Sequence, residues 1–274
     1  MRPPDHAVCS LAALDVRRRP DHRAELTSQL LLGEVVRILA RGRRGLWWRV
    51  ESLTDGYRGW ARSWGLVPAS RSRALGWARK ARTRVSAPLA LATAKPGGGA
   101  LVSPLFLNSR LIAGPRRGRH RRVELPDGRR GWVETAVLAG RGAAVPLLDR
   151  VLGLMGVPYL WGGRTPAGFD CSGFTQQVLA ERGVRLPRDA ARQQSASARL
   201  RRGEPPRPGD LVFFAGPRGT GRHVGIGLGG GYFAHCRGYV RISSLDPGSP
   251  LCDKDLMPQI KGWRRPLKPS RGPG

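Results

Sequence analysis

The sequence predicts an α+β protein in three parts: two small β-barrels, then a domain with its helices first and antiparallel strands after. Three observations carry this. Two segments of the first half, WWRVESLTDGYRGW (47–60) and RRVELPDGRRGWV (121–133), share one order of elements. Each runs from a β-rich stretch through Asp-Gly into a short strand opened by Gly-Trp, and Asp-Gly between apolar runs is a hairpin signal. The second half begins differently, with GFDCSGFTQQVL (168–179), where turn-formers give way to Phe174, Val178 and Leu179 at helical spacing. Strand-like runs then follow one another: DLVFFAG (210–216), HVGIGL (223–228), YFAHC (232–236) and VRISSL (240–245).

In chain order, LLLGEVVRILARG (30–42) leads into the first Asp-Gly hairpin and ALVSPLFLNSRLIAG (100–114) into the second. Short strands with turns between them, repeated once, suggest two barrels; two unrelated hairpins of one β-domain is the alternative. Segments that end in such a Gly-Trp hairpin resemble bacterial SH3 domains, over residues 8–68 and 78–139. Barrels of that kind bind or position and do not set the chemistry. Residues 140–147 read as a linker into a helix over 146–154, with Leu147, Leu148, Val151 and Leu154 on one face. The last domain is expected over 145–265, and the Pro-, Gly- and Arg-rich end, 266–274, reads as a disordered tail.

Composition sets the limits. A chain of 274 residues with 40% hydrophobic content is globular material. No apolar run approaches the ~18 residues of a membrane span, and the N-terminus has no secretory leader pattern. Cytoplasmic location is the expectation, which an upstream start would change. The net charge of +29 comes almost wholly from Arg spread along the chain. With no basic block interleaved by aromatics, it reads as an Arg-rich surface rather than a nucleic-acid site. Four cysteines without a CxxC pair signal neither a zinc knuckle nor a disulfide scaffold. No cofactor and no metal are expected, and a monomer is.

Cys171 is placed where a helix begins, and a helix N-terminus lowers a thiol pKa. A cysteine hydrolase also needs an imidazole beside the thiolate and a polar group to orient it. Of the five histidines, His223 and His235 lie twelve residues apart around Gly229, Gly230 and Gly231. In a hairpin turning at these glycines the two rings lie opposite or diagonal. Gly225 and Gly227 leave the His223 face open. The residues permit Cys171, His223 and His235 as nucleophile, base and orienter, and equally permit two ordinary strand histidines. A metal site of Cys171, His223, His235 and Cys236 is disfavoured, because Cys236 should face away from its neighbour His235.

The blocks PYLWGGRTPAGFDCSGF, LPRDAARQQ, PGDLVFF and HVGIGLGGGYFAHC together resemble the NlpC-type cysteine peptidases of bacterial cell-wall metabolism. The resemblance implies a papain-like α+β core and hydrolysis of peptidoglycan stem peptides at the γ-D-glutamyl–diamino acid bond. It puts the nucleophile on Cys171, the base on His223 and the third polar residue on His235. Two SH3-like domains before such a domain resemble the murein-peptide recycling enzymes, which cut free peptides beginning L-Ala–γ-D-Glu. That similarity places substrate contacts on Tyr159, Asp170 and Ser172, with Glu25 and Tyr57 contributed by the first SH3-like domain. Asp170 also reads as a simple helix cap. Many relatives have Ser after the Arg-Asp of the LPRD block where Ala190 stands here. A secreted hydrolase of intact wall, or a non-catalytic wall- or polyanion-binding protein, are the rival expectations.

Overall fold

The computed structural model describes residues 4–139, 144–216 and 222–267. The chain divides into two compact units, Met1–Ala144 and Val145–Gly274.

The N-terminal unit begins with β1 (His6–Cys9), β2 (Ala13–Arg17), β3 (Leu26–Leu31), β4 (Val35–Arg41), β5 (Trp47–Ser52), β6 (Arg58–Arg62) and β7 (Leu66–Ala69). They form one sheet ordered β3-β2-β6-β5-β4-β1-β7. The first expected hairpin is β5–β6, with Glu51 paired to Arg58 and Gly56 at φ +72° in the turn. Alternate residues such as Leu14 and Val16 point into a core with Val36, Val50 and Ala61.

Next comes α1 (Arg71–Lys80), which the sequence did not announce. RSRALGWARK lies mostly between the two expected SH3-like segments and carries no turn or strand signal. However, Arg, Ala, Leu and Lys are all good helix formers, and Ser70 caps the first turn by accepting from Arg73 N–H. Its buried Ala74 packs with Val8 and Val35 of the first barrel. The second barrel therefore starts at β8 (Thr83–Arg84), later than residue 78. It continues through β9 (Leu89–Lys95), β10 (Gly98–Phe106), β11 (Arg110–Arg117), β12 (His120–Glu124) and β13 (Arg130–Glu134), in the order β10-β9-β13-β12-β11-β8. The second Asp-Gly turn joins β12 to β13, with Gly128 at φ +86°.

The two barrels share a joint at Leu32 and Gly33. Leu32 is fully buried in the core of the second barrel, and its carbonyl accepts from Arg110 N–H at 2.9 Å. Gly33 has φ +85°, and a Cβ there would overlap the Arg110 carbonyl oxygen, so both backbone angle and space demand glycine.

The C-terminal unit opens with α2 (Leu147–Leu152), shorter than the expected 146–154 at both ends. Val151 and Leu154 are buried, while Leu148 is exposed and does not join their face. The minimal ribbon β14 (Arg164–Thr165) and β15 (Gly168–Phe169) leads into α3 (Cys171–Ala180) and then α4 (Ala190–Ser195). A six-stranded sheet follows from β16 (Ser197–Arg199), β17 (Leu211–Ala215), β18 (Arg222–Gly229), β19 (Tyr232–Arg237), β20 (Tyr239–Ser244) and β21 (Ile260–Pro266), ordered β16-β21-β17-β18-β19-β20. Phe174, Val178 and Leu179 are buried as their spacing predicts, and α3 packs on β18 and β19.

The chain end corrects one expectation. Arg264, Arg265 and Pro266 are strand, paired with Arg199, Ala198 and Ser197. Arg265 forks onto both carboxylate oxygens of Asp210, at 3.0 and 2.9 Å, and also reaches Glu204. Composition alone suggested a tail from 266, but these ion pairs and the edge pairing hold the segment down to Pro266. Residues 268–274 lie outside the described residues.

Candidate active site

The site is built around the first turn of α3. Asp170 is its N-cap, accepting from Gly173 N–H at 2.7 Å. Gly173 must be glycine, since a Cβ there would overlap the Gly163 carbonyl oxygen. The loop at 162–163 thus lies directly against the helix start, and Gly162 N–H donates to Asp170 Oδ2 at 3.0 Å. Arg188 is almost fully buried and spans both Asp170 oxygens, with one N–H also 2.9 Å from Ser172 Oγ. Ser172 Oγ itself donates to Asp170 Oδ1. Gln193 of α4 donates to the Ser172 carbonyl at 2.9 Å. Asp170 and Ser172 are therefore first of all fixtures of the helix start, their polar atoms shared with Arg188.

Cys171 is the first residue of α3. Its sulfur receives hydrogen bonds from the backbone N–H groups of Val224 and Ser172. Val224 follows His223, so the thiol is set against the start of β18. Across the hairpin Gly225 pairs with His235, which puts His223 diagonal to His235. The turn is made by Gly229, Gly230 and Gly231, all at positive φ. His223 Nε2 lies 2.7 Å from His235 Nδ1. His235 is fully buried, and its Nε2 meets Ser243 Oγ at 3.1 Å and Arg241 Nε at 3.3 Å. Phe214 and Phe233 flank the two imidazoles.

Burial governs the electrostatics. It pushes the Cys171 thiol up to about 12, with the Asp170 charge adding to the rise; the N–H groups of Val224 and Ser172 and the Arg188 charge pull the other way without winning. Burial likewise brings His223 down to about 4, helped by Arg237 and Arg241. His235 falls to about 2 through burial, His223 and Arg241. The expectation of a thiol lowered by its helix end is thus corrected: desolvation outweighs the helix terminus, and thiol and imidazole rest as a neutral pair.

Tyr159 stands beside them. Its N–H donates to the Gly238 carbonyl at 2.8 Å, and it bridges to Phe169, two residues before the nucleophile. Burial and then the neighbouring Cys171 and Asp170 raise its hydroxyl, which stays a protonated donor. Ala190 is the buried first residue of α4. Cys236 donates to the Phe169 carbonyl at 3.2 Å. Glu25 and Tyr57 belong to the N-terminal unit. Glu25 lies just before β3 and pairs with Arg18 at 3.2 Å, and Tyr57 sits in the β5–β6 turn with its N–H on Asp55.

Sequence reading missed Arg188, Arg241 and Ser243. Arg188 was hidden by its own abundance in an Arg-rich chain. Arg241 and Ser243 alternate along β20, and that period of two, set against His235, was the available signal.

A partly exposed cysteine at a helix start, beside a histidine oriented by a second polar group, defines a thiol hydrolase of the cysteine-peptidase class. Residues 156–257 match the model of the NlpC/P60 family, and residues 16–66 match that of the bacterial dipeptidyl-peptidase Sh3 domain. The chain is 27% identical over 268 residues to a gamma-D-glutamyl-L-lysine dipeptidyl-peptidase of Bacillus cereus, covering 89% of this chain and 76% of the relative. It is 40% identical over 100 residues to the Bacillus subtilis protein of the same name, covering 35% of this chain and 32% of that one, so the match spans about a third of that relative. A solved NlpC/P60 family protein from Bacillus cereus shares the fold, with a TM-score of 0.79 at 23% identity over 96% of this chain and 100% of that chain. The chain thus matches the NlpC/P60 family over residues 156–257 and carries an SH3-like domain before this cysteine-peptidase domain.

Proposed function

We propose that this peptidase hydrolyses the γ-D-glutamyl–L-diamino acid bond of peptidoglycan-derived peptides that carry a free N-terminal L-Ala. The observation that carries the chemistry is the Cys171 sulfur held by the N–H of Val224, the residue after His223, together with the His223 ring paired to His235 at 2.7 Å. The bond and the free terminus are supported by the names of the two Bacillus relatives and by the dipeptidyl-peptidase Sh3 match at residues 16–66.

Because thiol and imidazole rest neutral, the proton moves as the bond forms. His223 takes the thiol proton while the sulfur attacks the γ-glutamyl carbonyl carbon. The carbonyl electron pair moves onto oxygen, where the Cys171 backbone N–H and the Tyr159 hydroxyl donate. The N–H of a first helical residue has no acceptor within its helix, and one such donor is worth about 2.7–4 kcal/mol. Collapse expels the diamino acid amine, which takes the proton from His223. Water, deprotonated by His223, then splits the thioester, L-Ala–D-Glu leaves, and the departing Cys171 sulfur takes the proton back from His223.

The test compares L-Ala–γ-D-Glu–L-diamino acid tripeptide, its N-acetylated form and intact sacculi, with products read by mass spectrometry. The free peptide is expected to be cut with kcat/KM about 10- to 100-fold above the acetylated one, the worth of a charge-assisted hydrogen bond to the ammonium. Equal cleavage of the acetylated peptide, or preference for sacculi, overturns the free-terminus reading in favour of a hydrolase of intact wall.

A further inference from the structure

The register that sets Arg241 opposite His235 adds a group to the histidine pair. Arg241 Nε lies 3.3 Å from His235 Nε2, and its Nη2 is held 2.9 Å from Asp253 Oδ2. A guanidinium has only donors. The nitrogen it donates to must therefore present a lone pair. A neutral imidazole has one such nitrogen and one N–H, so the His235 proton sits on Nδ1. That N–H points to His223 Nε2 at 2.7 Å, which accepts it. The His223 proton is then left on Nδ1, the nitrogen not engaged with His235. In this arrangement His223 has no lone pair for the thiol proton.

We infer that Arg241 is a positioning residue that holds the two histidines in a resting tautomer unable to act as base, and that Ser243 supports the working one. The inference rests on the function proposed above and concerns the regulation of its site. In the working arrangement each proton sits on the other nitrogen. His223 Nδ1 carries a lone pair, His223 Nε2–H donates to His235 Nδ1, and His235 Nε2–H donates to Ser243 Oγ, 3.1 Å away. Protons balance: one leaves His223 Nδ1 to water, one passes from His235 Nδ1 to His223 Nε2, and one arrives from water on His235 Nε2. The hydroxyl of Ser243 can donate or accept and so fits both states. The Arg241 Nε–H fits only the first, and in the second it must turn away toward Asp253. The charged groups around the pair keep it neutral throughout. Arg237 and Arg241 act on both rings against added positive charge, while Asp253 and Asp170 act on His223 in the opposite sense. The two states therefore differ in proton placement, not in charge.

The experiment uses the full chain labelled with 15N. Proton–nitrogen correlation spectra at pH 7.5 read which ring nitrogen of His223 and of His235 carries hydrogen, and mass spectrometry follows alkylation of Cys171 by iodoacetamide. The wild type is expected to show His235 protonated on Nδ1. Arg241→Met is expected to move that proton to Nε2 and to speed alkylation about tenfold, the effect of one pK unit on the thiol–imidazole balance. Ser243→Ala is expected to keep the Nδ1 tautomer and slow alkylation. Opposite signs at two neighbouring residues are not produced by a general loosening of β20. A wild type already protonated on His235 Nε2, or no difference in tautomer between wild type and Arg241→Met, overturns the inference. The wild-type spectrum alone is decisive if a variant fails to fold. No peptide enters these readouts, so a protein that shows the tautomer shift yet cuts no tripeptide contradicts the proposed function and leaves the relay standing.

Discussion

Cys171 and His223 are shifted apart by their surroundings, the thiol up to about 12 and the imidazole down to about 4. The free enzyme should therefore lack a thiolate plateau near neutrality. Alkylation of Cys171 by iodoacetamide is expected to be slower at pH 7 than that of a free cysteine, whose thiol titrates near ~8.5, and to climb with pH past 9. A plateau below pH 7 would mean a resting thiolate–imidazolium pair and contradict this. The same burial links the histidines to stability. In the unfolded chain both imidazoles protonate near ~6.5, but in the fold they do so only near about 4 and about 2. Between those values the unfolded state holds more protons, so acid favours unfolding. Stability should be level above pH 7 and fall from about pH 6.5 downward, by up to about 1.4 kcal/mol per pH unit for each histidine. Urea unfolding at pH 7 and pH 5 should show a smaller loss in His235→Asn than in wild type. An equal loss would place the acid sensitivity elsewhere.

Secondary-structure elements are held to the site by few, specific contacts. Arg188 ties the LPRD segment to the start of α3 through Asp170 and Ser172. Arg188→Met should strand a buried carboxylate, at a cost of about 3–5 kcal/mol, seen as a lower denaturation midpoint together with lost cleavage. A change below ~1 kcal/mol would show that the pair is not needed to place α3. The elements also show which parts of the fold sequence patterning can reach. Both Asp-Gly hairpins and the strands β17 to β20 were legible, because alternation and turn residues act locally. Cys171, His223 and His235 were legible as a set only through the glycine turn and the block pattern around them. Helix α1 was not, because its formers are also the commonest residues of the chain. The strand ending at Pro266 was not either, since its order comes from Asp210, 55 residues away from Arg265.

At the scale of the whole molecule the +29 charge dominates. Many of its guanidiniums lie on exposed strand and turn positions, where like charges repel and salt screens them within about 10 Å at 0.1 M. Raising sodium chloride from 0.05 to 0.5 M, as round laboratory values about the Debye range, should therefore raise the melting temperature. A fall would mean that surface ion pairs such as Arg58–Glu51 outweigh the repulsion. The charge itself was plain in the sequence, and its pairing at the catalytic centre was not. There the guanidiniums of Arg188 and Arg241 are each matched to an aspartate, Asp170 and Asp253, and a +29 total says nothing of such pairing.

The central claim is that Cys171 is the nucleophile of a peptidase that cuts after γ-D-glutamate. Its most direct test is incubation of L-Ala–γ-D-Glu–L-Lys with wild type and with Cys171→Ala, followed by mass spectrometry of the products. Wild type is predicted to release L-Ala–D-Glu and free lysine, and Cys171→Ala to release neither, even with enzyme in excess over peptide. Equal release by the two proteins, or none by wild type, would contradict the account.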